Sequence, residues 1–137
     1  MKIAIIGSRD FPQMQQVRDY VRSLPRDTVI VSGAARGVDA VAADEARQLG
    51  MKVIEFPADW SVKPDTPSWA IRTNGQGKQY DSRAGMQRNE LIVDLADKVV
   101  AFWDGESPGT RGAIRLAKRA AKPVQVYVPT TSEIGGK

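Results

Sequence analysis

Short apolar runs alternate with longer, partly apolar segments along most of the chain. The short runs are unbroken and rich in valine and isoleucine, which is typical of strands covered on both faces of a sheet. In the segments between them, apolar residues recur at helical spacing. Strands that alternate with helices predict one α/β domain with a mostly parallel five-stranded sheet and helices on both faces. The predicted strands are Lys2–Ile6, Val29–Ser32, Met51–Phe56, Lys98–Phe102 and Pro123–Val128.

The same pattern predicts where the helices begin, end and face the core. The first helix begins near Pro12, with Ser8 or Asp10 as its N-terminal cap. The second follows Gly37 and ends at Gly50, because glycine suits the C-terminal cap of a helix. The third helix buries a stripe made of Leu91, Ile92, Leu95 and Ala96.

Regular spacing is lost between residues 57 and 83, where prolines, glycines and polar residues dominate. A loop of this length inside a compact domain is often a lid or a binding loop. The alternative is a surface insertion that its aromatic residues, such as Trp60 and Trp69, hold against the body. The predicted organisation is one domain over residues 1–128 with this long loop at 57–83, followed by a flexible tail at 129–137.

Three motifs of small, polar and charged residues directly follow the first, second and fourth strands: GSRDF, SGAARGVD and WDGESPGT. In a parallel sheet the carboxyl ends of the strands meet at one edge, where ligands bind. The second motif joins a strand to a helix N-terminus, whose unpaired N–H groups attract anions. We therefore predict a phosphate site at this edge, with a tight turn that needs its glycines only for geometry as the alternative.

Composition narrows the chemistry further. The chain has no cysteine and no histidine, so disulfides, thiolate metal sites and the commonest general base are excluded, and no metal site is predicted. No apolar run is long enough to span a bilayer or to form a signal-peptide core, so we expect a cytoplasmic protein without a membrane partner. The net charge of +4 is compatible with anionic partners and also with scattered surface lysines and arginines.

Five segments, GSRDF, SGAARGVD, FPADW, AGMQRN and AFWDGESPGT, resemble the YspA-type, YpsA-related branch of the SLOG superfamily in this order. That superfamily also includes DprA and the "lonely guy" phosphoribohydrolases. The resemblance covers Gly7 to Val128 and implies a Rossmann-like, three-layer α/β/α domain that binds nucleotides or nucleotide-derived ligands. The second glycine of the usual SGGARGVD pattern is Ala34 here, and the segment between Trp60 and Ala84 is longer than the family pattern.

The resemblance also marks the ligand-binding residues, which follow strands one, two and four or lie on the third helix. By position they are Gly7, Ser8 and Arg9; Ser32, Gly33, Arg36, Gly37 and Asp39; Arg88 and Asn89; and Asp104, Gly105, Ser107, Gly109 and Thr110. Arg9 and Arg36 are expected to bind phosphate or to bridge Asp39 or Asp104. Trp103 is expected to stack on a base or to belong to the core.

Three functions remain open from the sequence. The first is a binding or sensing module for a nucleotide, such as an NAD-like or ADP-ribose-like molecule or a nucleoside phosphate. The second is a hydrolase of a nucleotide N-glycosidic bond, for which Asp39 and Asp104 are the candidate catalytic residues; Ala113 stands where related enzymes carry a glutamate. The third is a DprA-like binder of single-stranded nucleic acid. Self-association into a homo-oligomer is expected by analogy with related proteins.

Overall fold

A computed structural model describes residues 1–129 of the chain, so the predicted tail, apart from Pro129, lies outside the described residues. Seven strands and four α-helices follow one another in these residues, with one short 3₁₀ helix at Ser68–Ala70. The strands are β1 (Lys2–Gly7), β2 (Val29–Ser32), β3 (Lys52–Glu55), β4 (Ile71–Thr73), β5 (Gln79–Asp81), β6 (Lys98–Phe102) and β7 (Val124–Tyr127). The helices are α1 (Met14–Ser23), α2 (Val38–Gln48), α3 (Ala84–Leu95) and α4 (Pro108–Arg119).

Five of these strands form one sheet in the order β3-β2-β1-β6-β7, and every neighbouring pair is parallel. The central strand β1 aligns Ile3 with Ile30 of β2 on one side and Ile5 with Val100 of β6 on the other. After β1, the chain adds β2 and β3 on one side of it and then adds β6 and β7 on the other side. The predicted five-stranded α/β architecture is confirmed.

Apolar side chains cover both faces of the sheet. On one face, Phe11, Val17 and Val21 pack with Phe102 in a cluster that also includes residues of α2. On the other face, Ile92 of α3 and Ala117 of α4 belong to a second cluster. Helices on both faces explain why the strand sequences are apolar at successive positions rather than at alternating ones.

The structure corrects two details of the helices. Neither Ser8 nor Asp10 caps α1, because the chain first buries the Phe11 side chain and reaches the N-cap position only at Gln13. On α3, Leu91 is 55% exposed, and Val93 is buried instead beside Ile92. The C-terminal cap of α2 is confirmed: Gly50 has φ +74°, and the N–H of the following Met51 donates to the Ala46 carbonyl at 2.9 Å.

The segment at residues 57–83 also differs from the predicted irregular loop, because it contains the 3₁₀ helix and an antiparallel hairpin of β4 and β5. At the hairpin tip, the Asn74 side chain accepts hydrogen bonds from the N–H groups of Gln76 and Lys78, each at 2.9 Å. The hairpin is tied to the start of the same segment where the Asp81 N–H donates to the Trp60 carbonyl at 2.8 Å. Asn-Gly at the tip is a recognised hairpin signal, but each strand is only 3 residues long, and Asp81 is the one buried residue of the two strands.

Candidate functional site

A cavity of about 450 Å³ opens at the carboxyl end of β1, between α3 and α4. This is the point where the strand order reverses, since β2 lies on one side of β1 and β6 on the other. The predicted site residues that line the cavity are Gly7, Arg9, Asp39, Arg88, Asn89, Ser107, Gly109 and Thr110. The other predicted residues, Ser8, Ser32, Gly33, Arg36, Gly37, Asp104 and Gly105, are not among its lining residues.

The N-terminus of α4 forms one wall of the cavity. Its N-cap residue is Ser107, and the first hydrogen bond of the helix runs from the Arg111 N–H to the Ser107 carbonyl at 3.1 Å. The N–H groups of Gly109 and Thr110 precede that bond and have no acceptor within the helix. They are therefore available to an anion, which the helix dipole also favours.

Asp104 builds the turn that leads into α4. Its carboxylate accepts the Ser107 N–H at 2.8 Å and the Glu106 N–H at 2.9 Å. These bonds hold the pKa of Asp104 below its usual value, with a smaller contribution from Ser8. Ser8 is buried, and its hydroxyl accepts the Asp104 N–H at 3.2 Å. Both side chains thus shape the cavity wall from behind.

The SGAARGVD turn between β2 and α2 satisfies part of its own hydrogen-bonding capacity. The Ala34 N–H donates to the Ser32 hydroxyl at 3.1 Å, and the Ala35 N–H donates to the Asp39 carboxylate at 3.3 Å. An anion at this turn would have to compete with the carboxylate of Asp39. The N-terminus of α4 is therefore the better phosphate position of the two.

Close packing explains the glycines of this turn. Gly37 has φ +80°, and a Cβ at this position would lie 2.5 Å from the backbone of Arg9. A Cβ at Gly33 would lie 2.7 Å from Nη1 of Arg88 and 2.8 Å from Oδ2 of Asp39. Glycine at position 33 therefore lets the arginine and the carboxylate approach the same stretch of backbone.

Asp39 is 5% exposed and lines the cavity. Burial raises the pKa of its carboxyl to about 6, because desolvation outweighs the hydrogen bond from Ala35 and the positive charge of Arg88. In the described part of the chain, Asp39 is the one acidic side chain among the lining residues. Ala113 also lines the cavity, so its wall has a methyl group there rather than a carboxylate.

Two arginines bring positive charge to the cavity. Arg88 donates through Nη1 to the Gly33 carbonyl and through Nε to the Asn89 side chain at 3.0 Å. Arg9 is exposed at the cavity wall, whereas Arg36 is exposed outside it. Within residues 1–129 neither Arg9 nor Arg36 forms an ion pair, so the predicted bridges to Asp39 or Asp104 are not observed.

Sequence reasoning missed one part of the cavity, which comes from the long segment and the start of α3. Trp60, Ser82, Gly85 and Met86 line it together with the predicted residues. Trp103 lies elsewhere: its indole N–H donates to the Ser107 carbonyl at 3.1 Å, and its ring packs against the core beneath α3 and α4. No periodicity marks Trp60, because its place in the cavity depends on how the hairpin folds back.

The fold and the position of the cavity define a Rossmann-like α/β domain with a potential ligand site at the switch point of its sheet. A model of the YspA, cpYpsA-related SLOG family matches residues 1–62. The gene 61 protein of Mycobacterium phage D29 is 32% identical over 133 residues, which cover 90% of this chain and 93% of that protein. The chain belongs to the YspA, cpYpsA-related SLOG family.

Two solved structures share this fold. DNA processing protein A from Streptococcus pneumoniae superposes with a TM-score of 0.72 and 22% identity, over 94% of this chain and 50% of that one. Its counterpart from Helicobacter pylori, whose structure describes a single-stranded DNA binding mode, gives a TM-score of 0.57 and 22% identity. That match covers 92% of this chain and 64% of the other, so this chain spans about half to two thirds of these proteins.

None of the helices in residues 1–129 is both long enough and apolar enough to cross a membrane. The same residues contain no group of three or more acidic side chains placed to hold a metal ion.

Proposed function

We propose that this protein binds a phosphate-bearing nucleotide or nucleotide derivative in the cavity at the end of β1, as a binding or sensing module. The observation that carries the proposal is the convergence of the free N–H groups of α4 with Arg9 and Arg88 in one cavity. Backbone donors at a helix N-terminus and arginine side chains are complementary to phosphate oxygens.

The remaining polar groups suit the sugar of such a ligand. Asn89 offers an amide, and Asp39 offers a carboxyl group that accepts hydrogen bonds in either protonation state. The cavity volume of about 450 Å³ falls in the range typical of sites for small molecules and cofactors. Binding without turnover is favoured over N-glycosidic cleavage because Ala113 supplies no carboxylate and Asp39 is engaged by the Ala35 N–H.

A thermal-shift screen with AMP, NAD and ADP-ribose tests the proposal. A ligand at 100 times its dissociation constant adds about 2.7 kcal/mol of apparent stability, which raises Tm by on the order of 10 °C for a domain of this size. In the Arg88→Gln and Arg9→Gln variants we expect the affinity to fall by about tenfold or more, because each loses a charge-assisted hydrogen bond to phosphate.

The matched control is Arg115→Gln, which removes the same charge from an exposed position of α4 outside the cavity. It is expected to bind as the wild type does. Arg88→Gln also removes the hydrogen bond to the Gly33 carbonyl and can therefore disturb the fold. Arg9 is exposed, so Arg9→Gln is expected to leave the fold intact and provides the independent test. Equal loss in Arg9→Gln and Arg115→Gln, or no shift with any nucleotide, contradicts the proposal.

Single-stranded DNA is the second candidate ligand, and the shared fold with the DNA-binding protein of Helicobacter pylori favours it. An oligothymidine titration at several salt concentrations separates the two functions. A DNA binder that neutralises several phosphates loses affinity steeply with salt, with a slope of about −0.7 per phosphate contact on logarithmic axes. Release of free base or nicotinamide during the nucleotide incubations would instead indicate the hydrolase.

A further inference from the structure

Trp60 belongs to the cavity, although it comes from the segment at residues 57–83 rather than from a strand end. Its side chain is 46% exposed and lines the same cavity as Arg88 and Thr110. Exposing half of an indole to water is unfavourable, and a flat apolar surface placed over the ring would relieve it.

Three contacts, two to the ring and one to the backbone, hold Trp60 in place. Tyr80 of β5 meets it edge to face, with ring centres 6.1 Å apart and planes at 75°. The Trp60 carbonyl accepts the N–H of Asp81, which anchors the backbone to the same strand. On the side of α3, a Cβ at Gly85 would lie 3.2 Å from Cη2 of the indole, so the ring rests directly on the helix backbone.

Apolar groups continue along this part of the cavity. Met86, which is 48% exposed, follows Gly85, and its Cε lies 3.5 Å from where a Cβ of Gly112 on α4 would be. The thioether and the indole therefore give the cavity an apolar portion, whereas Arg88, Asn89 and the start of α4 give it a polar one. A ligand with a flat apolar part and an anionic part matches this division.

The other tryptophan of the segment provides a contrast. Trp69 is 67% exposed and does not line the cavity, and Arg83 lies over its ring at 5.9 Å. The two tryptophans of this segment thus have different surroundings, since Trp60 lines the cavity and Trp69 does not.

We infer that Trp60 is the platform on which the base of the bound nucleotide stacks, so that the inserted segment supplies the base subsite. This inference rests on the proposed function, in which the N-terminus of α4 and the two arginines hold the phosphate. Stacking on an aromatic ring tolerates different bases, because every base has a π face. Met86 adapts to the bound base because its side chain is flexible.

The test compares an aromatic and an aliphatic replacement at position 60, with AMP and ADP-ribose as ligands measured by calorimetry. Trp60→Leu is expected to lower the affinity for AMP and for ADP-ribose by about tenfold, because the stacking contact with the base is lost. Trp60→Phe keeps a ring and is expected to remain within about threefold of the wild type. Trp69→Leu is the matched control in the same segment and is expected to bind unchanged.

A second variant moves the ring without altering it. Gly85→Leu places a branched side chain against Cη2 of Trp60. This variant is expected to weaken the binding of AMP about as much as Trp60→Leu does. Thermal melts of each variant test whether the fold is kept.

The outcomes separate the two proposals. Equal affinities for wild type and Trp60→Leu overturn the stacking inference and leave nucleotide binding standing, as does an equal loss in the leucine and phenylalanine variants. Wild-type protein that binds neither compound overturns the proposed function together with the inference.

Discussion

At the residue scale, Ala34 has a backbone conformation that residues with a side chain seldom adopt. Its φ is +57°, in the left-handed region, and it stands where the resembling motif carries a second glycine. Holding a Cβ in this region costs about 1–2 kcal/mol. Replacement by glycine removes that cost, although glycine also loses more conformational freedom on folding.

We therefore expect Ala34→Gly to raise the free energy of unfolding by roughly 0.5–1 kcal/mol, measured by urea denaturation. Two residues at the end of α4 provide the controls. Ala121 has the same φ of +57°, so Ala121→Gly should also stabilise the protein. Ala120 has φ −80°, so Ala120→Gly should not. Stabilisation by all three replacements, or by none, would contradict the explanation.

The buried carboxyl of Asp39 makes stability depend on pH. Because its pKa is about 6 when folded and near 4 when unfolded, the folded state retains this proton to higher pH. The free energy of unfolding therefore falls as the pH rises from about 4 to about 6, by at most roughly 3 kcal/mol. Above that range the protein keeps an ionised, desolvated group.

Asp39→Asn removes this dependence and is expected to be more stable than the wild type at pH 8 by roughly 1–3 kcal/mol, with the two converging below pH 4. Urea denaturation across this pH range is the measurement. Asp104→Asn is the opposite control, since the pKa of Asp104 is lowered in the fold and its ionised form stabilises the protein at neutral pH. A difference between Asp39→Asn and wild type that stays constant with pH would refute the assignment.

At the element scale, the first turn of α4 contains Gly109, a residue of low helix propensity, and backbone N–H groups that have no acceptor within the helix. A Cβ at Gly109 would meet no atom within 4 Å, so packing does not require glycine there. Alanine favours a helix over glycine by up to about 1 kcal/mol. A ligand in the cavity is therefore a better reason for glycine at this position than the fold is.

Gly109→Ala is accordingly expected to stabilise the free protein by roughly 0.5 kcal/mol and to weaken nucleotide binding several-fold, because the methyl group occupies space that the phosphate needs. Thermal melts of the free protein and calorimetry with AMP measure the two effects. The combination is diagnostic, since a glycine kept only for architecture gives a less stable variant with unchanged binding.

The hairpin of β4 and β5 shows where sequence patterns stop being informative. Its strands bury few side chains, so neither alternation nor helical spacing marks them. The place of Trp60 in the cavity depends on how that hairpin folds back. The sequence pattern therefore left a binding loop and a surface insertion open for this segment and did not select Trp60 as a site residue. Trp103, which directly follows an apolar strand, was easier to place in the core.

At the scale of the whole molecule, the sheet and its helices could be predicted because burial on both faces imposes the same apolar pattern on each strand. The edge at which the motifs meet followed from parallel topology, and Gly7, Gly109 and Thr110 do line one cavity. Asp104 and Ser32 lie near it but form turns instead. A sequence motif contains residues that line the cavity and polar residues that only form turns, and tertiary geometry is needed to distinguish the two.

The central position of β1 also sets the order in which the sheet and the cavity can form during synthesis of the chain. Residues 1–62 contain β1, β2 and β3 with their helices, so one half of the sheet can form while the rest is still being synthesised. The other side of β1 stays unpaired until β6, and the cavity lacks two of its walls until α3 and α4 have emerged. The cavity is therefore complete only after α4 has left the ribosome, and a nucleotide bound there would indicate that both parts of the sheet have joined.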